Sequence, residues 1–529
     1  MTNTISAEAL RAALLDDEEL ALVDVREVGA FSRAHLLWAN CIPFSQLELR
    51  VDALIPRRST RIVLCDADES LASLALRRLS HLGYAHVEIL EGGINGWTAA
   101  GMELFSGVNV PSKAFGEFVE HTYDTPNIDA EDLHQRLEAG DNLVVVDSRP
   151  MREFRAMSLP AGTCMPGAEL AYRVHEIAPD PNTTVVVNCA GRTRSIIGAQ
   201  SLINAGIPNP VMALRNGTMA WHMAGFPLDR GGERYVDKLS DESLTRAHAC
   251  AERVARRFGV RYIDLNDLDE LRAEDEYRNL FLLDVRSPEE FAAGHLPDSR
   301  NAPGGQLVQA TDEYVGVLGA RIVLTDNDGV RATMTASWLL QLGWREVYVL
   351  EGVSDADFSE QGEERQSVLG LGELDVELIS APSLARLREE GRVNVVDLSS
   401  SRHFMQAHVE GARHAVRSRL HELIPVLPTR PWLVFTCEDG VLSRLAAADS
   451  DEHTDARVAA LMGGNATWAD NGFTMVSGGH GMDEHPDDVW MSPYDQTGRI
   501  EDAMNAYLDW EIALVDQIER DGTTRFRRF

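Results

Sequence analysis

The sequence predicts an α/β fold of four tandem domains, each a parallel sheet with helices on both faces. Three observations carry this. A hydrophobic strand ending in aspartate recurs at Leu22-Val23-Asp24, Val145-Val146-Asp147, Leu282-Leu283-Asp284 and Val395-Val396-Asp397. A second apolar strand leads into a loop whose key position, at Asp66, Cys189, Asp326 and Cys437, lies 42, 42, 42 and 40 residues beyond that aspartate. A helix follows each loop and, in the first three copies, stops at a glycine 17 residues on (Gly83, Gly206, Gly343). Alternation of buried strands with helices at fixed spacing is the pattern of a repeated α/β unit.

Each element has its own local reason. Thr184-Val185-Val186-Val187-Asn188 is short, apolar and β-branched, as expected of a strand buried on both faces. Ser195 to Ala205 reads as a helix closed by Gly206 at the C′ position. Downstream come Gly92-Gly93-Ile94-Asn95-Gly96-Trp97, Asn216-Gly217-Thr218-Met219-Ala220-Trp221 and Gly463-Gly464-Asn465-Ala466-Thr467-Trp468. The third copy keeps only Glu351-Gly352 and has Asp357 where the tryptophan belongs. These marks divide the chain into repeats at 1–107, 125–230, 258–365 and 375–478, with 479–529 as a linker and C-terminal helix.

Between the repeats, Lys113–Tyr123, Asp241–Phe258 and Glu501–Arg520 read as packing helices that join domains or form a homo-oligomer interface. In the last, Met504, Leu508, Ile512, Val515 and Ile518 fall on one side. The segment Gly478–Asp488 reads as a solvated linker rather than a metal loop, because no preformed ligand spacing is visible. The terminal Arg525-Phe526-Arg527-Arg528-Phe529 either grips an acidic surface, of this protein or another, or frays.

Composition narrows the class of function. The 529 residues include 49 basic and 83 acidic side chains, a net charge of −34, so nucleic acid and anionic membranes are excluded as partners. The N-terminus lacks the basic and apolar regions of a signal peptide, and no apolar run has transmembrane length. Six cysteines without a Cys-x-x-Cys motif argue against a disulfide framework or zinc site and point to a reducing cytoplasm.

Chemistry concentrates at Cys189-Ala190-Gly191-Arg192-Thr193-Arg194-Ser195. The thiol sits at a strand-to-helix turn, beside backbone N–H groups and the positive end of a helix, with two arginines following. All of these favour thiolate over thiol, which makes Cys189 the candidate nucleophile.

Asp284-Val285-Arg286-Ser287-Pro288-Glu289-Glu290-Phe291 with Gly294-His295-Leu296-Pro297 resembles the N-terminal signature of the rhodanese domain. Cys-x4-Arg at a strand-to-helix turn, followed by Gly-Gly-x-x-x-Trp, resembles its active loop and C-terminal signature. The resemblance spans nearly the whole chain. It implies transfer of sulfane sulfur through a persulfide on Cys189, with Arg194 as the second catalytic residue. Ala190, Gly191, Arg192, Thr193 and Ser195 then line the substrate loop, and Arg149 lies near it by the family's layout. The donor is a small anion such as thiosulfate, the acceptor a thiol, cyanide or a protein. No cofactor or metal is called for. On this reading the thiol is already ionised and needs no strong base.

The other loops depart from this pattern. Asp66 and Asp326 cannot carry sulfur, so the first and third repeats are degenerate. Cys65 is turned from its loop by strand alternation. Cys437 is a secondary candidate: its loop keeps a Gly440-Val441 pair resembling mercaptopyruvate sulfurtransferases. However, Leu442 replaces the arginine, and Glu438 and Asp439 oppose ionisation. Two other classes stay open: a persulfide carrier or binding scaffold with little turnover, and a cysteine-dependent phosphatase or arsenate reductase. A phosphatase loop on this fold is one residue longer, Cys-x5-Arg.

Overall fold

Aspartate ends a central strand in every repeat, and the register shows why its spacing is held. The computed structural model describes residues 3–274, 276–364, 366–450, 454–482, 487–495 and 498–529. Each repeat forms a five-stranded, all-parallel sheet with one shared strand order. In the second, Leu143–Asp147 and Thr184–Asn188 are neighbours, and Asp147 pairs with Asn188, the residue before Cys189. The same register sets Asp24 beside Cys65, Asp284 beside Thr325 and Asp397 beside Thr436. The spacing thus brings each aspartate to the strand end from which the loop departs.

All five residues of Thr184–Asn188 are buried, as a parallel strand covered on both faces requires. The helix after it runs Thr193–Ala205, starting two residues earlier than the sequence predicts, and ends on Gly206 at φ +68°. In the third repeat no helix follows Gly352, and Phe358 instead lies under the Arg286 guanidinium, 4.2 Å from ring centre to Cζ.

The repeats bind one another through corresponding turns. Gly167 of the second meets Gly305 of the third so closely that a Cβ on Gly305 would stand 2.7 Å from the Gly167 nitrogen. Between the first and fourth, Arg417 donates to both oxygens of Glu48, at 2.6 and 2.9 Å. The first and third meet at a single antiparallel bridge between Leu20 and Leu318.

The helices between repeats bury faces inside this one chain. Val110–Tyr123 packs against both Thr193–Ala205 and the C-terminal helix Ile500–Asp521, and Asp241–Phe258 packs against helices of the second and third repeats. On the C-terminal helix Met504, Leu508 and Ile518 are buried as expected and Val515 is half-buried, but Ile512 is exposed, and Glu511 and Leu514 join the buried face. The last residues do not fray. Arg525 pairs with Asp17, and Phe526 packs on Phe115. In the acidic linker, residues 483–486 lie outside the described residues. No helix among the described residues is long and apolar enough to cross a membrane.

Candidate active site

Cys189 leaves the sheet at the end of Thr184–Asn188 and is only 2% exposed. Its carbonyl accepts from the Thr218 amide at 2.8 Å and the Thr218 hydroxyl at 3.0 Å. Met219 donates likewise to Ala190 O, at 3.0 Å. This contact explains the second glycine of the downstream motif. Gly217 has φ +52°, and a Cβ there would lie 2.3 Å from Cys189 O. Gly93 and Gly464 meet Asp66 O and Cys437 O in the same way.

The two loop arginines part company. Arg194 is held by Glu153 through two parallel bonds of 2.8 Å, and its charge acts on the Cys189 sulfur. Gln306 of the third repeat also accepts from it, at 3.2 Å. Arg192 turns away, giving Nε and Nη2 to the two oxygens of Glu117 at 2.7 Å, with Glu120 as a further partner. Its Nη1 donates to Asn216 Oδ1 at 3.1 Å, so the side chain ties the helix Val110–Tyr123 to the turn before Gly217. Arg149 is likewise committed, donating to both oxygens of Asp147 and to Met157 O. Asp147 therefore orients Arg149, and it also accepts from Asn188 Nδ2 at 2.8 Å.

Burial pushes the Cys189 thiol above its ordinary range, while the Arg194 charge and hydrogen bonds from Ser195 oppose it. The sequence expectation of an already ionised thiol omits this desolvation, which only the folded surroundings create.

The other loops show what the cradle recognises. Asp66 accepts from the amides of Asp68, Glu69, Leu71 and Ala72. Asp326 accepts from Gly329 and Ala332, at 2.5 and 2.9 Å. Cys437 Sγ receives Gly440 N at 3.2 Å and Ser443 N at 3.4 Å. All three loops aim amides at the side chain in the Cys189 position, which is an anion cradle. In two of them a carboxylate fills it permanently. At Cys437, burial lifts the thiol to about 11, with Ser443 opposing and Asp439 adding to the rise.

A family model for the rhodanese-like domain matches residues 6–100, 129–224 and 264–356, more than half of the chain. A crystal structure of thiosulfate sulfurtransferase from Pseudomonas aeruginosa is 46% identical and superposes with a TM-score of 0.96, over 99% of each chain. The chain belongs to the rhodanese family. A sulfurtransferase of Allochromatium vinosum is 32% identical over 101 residues, 19% of this chain and 92% of its own. An HTH-type transcriptional regulator of Mycobacterium tuberculosis is 33% identical over 100 residues, 19% of this chain. The match spans only 43% of that regulator's length.

Within this rhodanese, two groups of site residues escape the sequence reading. Glu153 had a signal: it stands six residues after Asp147, as Glu290 does after Asp284. Glu290 holds Arg331 with bonds of 2.7 and 3.0 Å, so glutamate and loop arginine occur together in the second and third repeats. Where leucine replaces the arginine (Leu71, Leu442), Ala30 and His403 stand in the glutamate position. The second group, from the C-terminal segment, had no signal. Tyr507, Leu508 and Glu511 lie against Gly191, and Thr193 Oγ1 donates to Glu511 at 3.2 Å. Tyr494 packs in the cluster of Met219, Met504 and Leu508. Lys113 fastens this segment: its Nζ donates to Val108 O at 2.7 Å and faces the rings of Trp490, Tyr507 and Trp510, at 5.5, 5.2 and 5.0 Å.

Proposed function

We propose that this rhodanese moves sulfane sulfur from thiosulfate, or a similar small anion, to a thiophilic acceptor through a Cys189 persulfide. The observation that carries this is the meeting of a sulfur nucleophile, a loop that hydrogen-bonds it from Ser195, and the Glu153-held Arg194. Among the described residues, the second repeat alone combines the three.

The reaction is a double displacement. The Cys189 thiolate attacks the outer sulfur of thiosulfate, the S–S bond of the donor breaks, and sulfite leaves with the electron pair. The persulfide anion then rests among the loop amides from Ala190 to Ser195, with Arg194 supplying positive charge. The acceptor attacks the outer sulfur and restores the Cys189 thiolate. Arg192 and Arg149 act as positioning residues, through Glu117 and Asp147. Neither a metal nor an organic cofactor is required. All six cysteines are unpaired thiols, which suits the reducing cytoplasm inferred from the sequence.

Intact-mass measurement after incubation with thiosulfate tests the reading. The wild type gains one sulfur and turns over in a thiosulfate–cyanide assay, while Cys189→Ser does neither. Hydrolysis of a phosphate ester without sulfur loading would favour the phosphatase class instead.

A further inference from the structure

The C-terminal helix brings to Cys189 a carboxylate that the double displacement leaves unused. Glu511 is 2% exposed. Its Oε1 accepts from Thr193 Oγ1 at 3.2 Å and from the Tyr507 hydroxyl at 3.1 Å. Its Oε2 is buried without a hydrogen-bond partner and stands against the active loop, 3.4 Å from where a Cβ on Gly191 would lie. The Tyr494 hydroxyl, also buried and without a partner, interacts electrostatically with Cys189. Two unsatisfied polar groups therefore sit near the loop that holds the sulfur. Leaving such groups unpaired is unfavourable, a cost that a bound molecule with a proton to share would recover.

We propose that Glu511 is a further catalytic residue, whose free oxygen takes the proton of a small neutral thiol acceptor at the Cys189 persulfide. This rests on the sulfurtransferase reading above and deepens it by naming the acceptor class. The proton moves from the acceptor S–H to Glu511 Oε2, and the resulting thiolate attacks the outer sulfur. The bond between that sulfur and Cys189 Sγ breaks with its electron pair on Cys189, and the new persulfide leaves. Glu511 then releases the proton to water. A carboxylate beside an anionic persulfide disfavours anionic acceptors and favours an acceptor that arrives neutral. Burial of both Cys189 and Glu511 limits the acceptor to a small molecule.

The groups facing Glu511 are Lys113 and Glu117 from helix Val110–Tyr123, Arg192 and Cys189 from the loop, and Tyr507 from its own helix. Burial raises Glu511 above the ordinary carboxylate range, with Lys113 opposing. That direction makes Glu511 a better proton acceptor than an exposed carboxylate.

The test loads the full-length protein with thiosulfate, removes the donor, and follows persulfide loss by intact mass. One acceptor is 2-mercaptoethanol, which has a proton to lose, and the other is sulfite at alkaline pH, which has none. In Glu511→Gln the ratio of thiol to sulfite discharge rates should fall about 100-fold. The acid limb of the thiol pH profile should vanish with it. Glu511→Asp should keep that limb, and Tyr507→Phe should lower the ratio less. An unchanged ratio, or equal slowing with both acceptors, overturns the role of Glu511 while sulfur loading stands. Failure of the wild type to load sulfur overturns the sulfurtransferase reading and this role with it.

Discussion

Glu153 grips Arg194 with both carboxylate oxygens, each at 2.8 Å, and so fixes a loop cation that acts on the Cys189 sulfur. A charge-assisted hydrogen bond to an anionic donor contributes about 1.5–3 kcal/mol. Arg194→Leu, which copies the first and fourth repeats, should therefore lower kcat/KM for thiosulfate roughly 10- to 100-fold. Alkylation of Cys189 near neutral pH should slow as well. Glu153→Gln should lower kcat/KM less, because the cation stays but loses its fixed position.

Arg192 should behave differently. Its loss strands the buried Glu117 carboxylate, and breaking a buried pair costs about 3–5 kcal/mol. Arg192→Met should thus lower Tm sharply. The alkylation rate of Cys189 in the folded fraction should stay near that of the wild type. A kinetic defect like that of Arg194→Leu with normal Tm would return Arg192 to the donor site.

Gly217→Ala tests the support under the nucleophile. The backbone at φ +52° strains any L side chain by about 1–2 kcal/mol. A Cβ 2.3 Å from Cys189 O must also move the loop itself. Urea melts should show lost stability, and turnover should fall beyond what the unfolded fraction explains.

The two loop cysteines should separate cleanly. Cys189→Ser should abolish thiosulfate turnover and Cys437→Ser should leave most of it. Labelling of Cys437 should rise only as pH approaches about 11, since the buried thiol must first ionise. Loss of turnover in Cys437→Ser alone would reverse this ranking.

Glu27 predicts a pH effect at the junction of the first and fourth repeats. It is buried between Ser45 and Ser418, and burial lifts its carboxyl to about 7 against the hydrogen bonds from both serines. The folded state thus holds a proton that the unfolded chain releases at lower pH. The contribution is complete below the ordinary carboxylate range and is lost as pH rises through about 7. Tm should fall across that interval in the wild type, and Glu27→Gln should flatten the fall.

Much of this protein is written locally. The aspartate-ended strands, the loop positions 40 or 42 residues beyond them, and the Gly206 stop were legible because strand burial and helix capping depend on near neighbours in the chain. Cys189 stood out for the same reason: its turn, amides and arginines lie within seven residues. What the arginines do was decided only in three dimensions. Arg192 and Arg194 are two residues apart, yet one turns to Glu117 and the other to Glu153 and Gln306. Seven-residue spacing sets Glu511 on the face of Met504, but nothing near it in the chain reveals the loop 318 residues away from which Thr193 donates to that carboxylate. Desolvation of the Cys189 thiol is hidden for the same reason: it comes from what the fold packs around the sulfur, and no run of neighbouring residues specifies it.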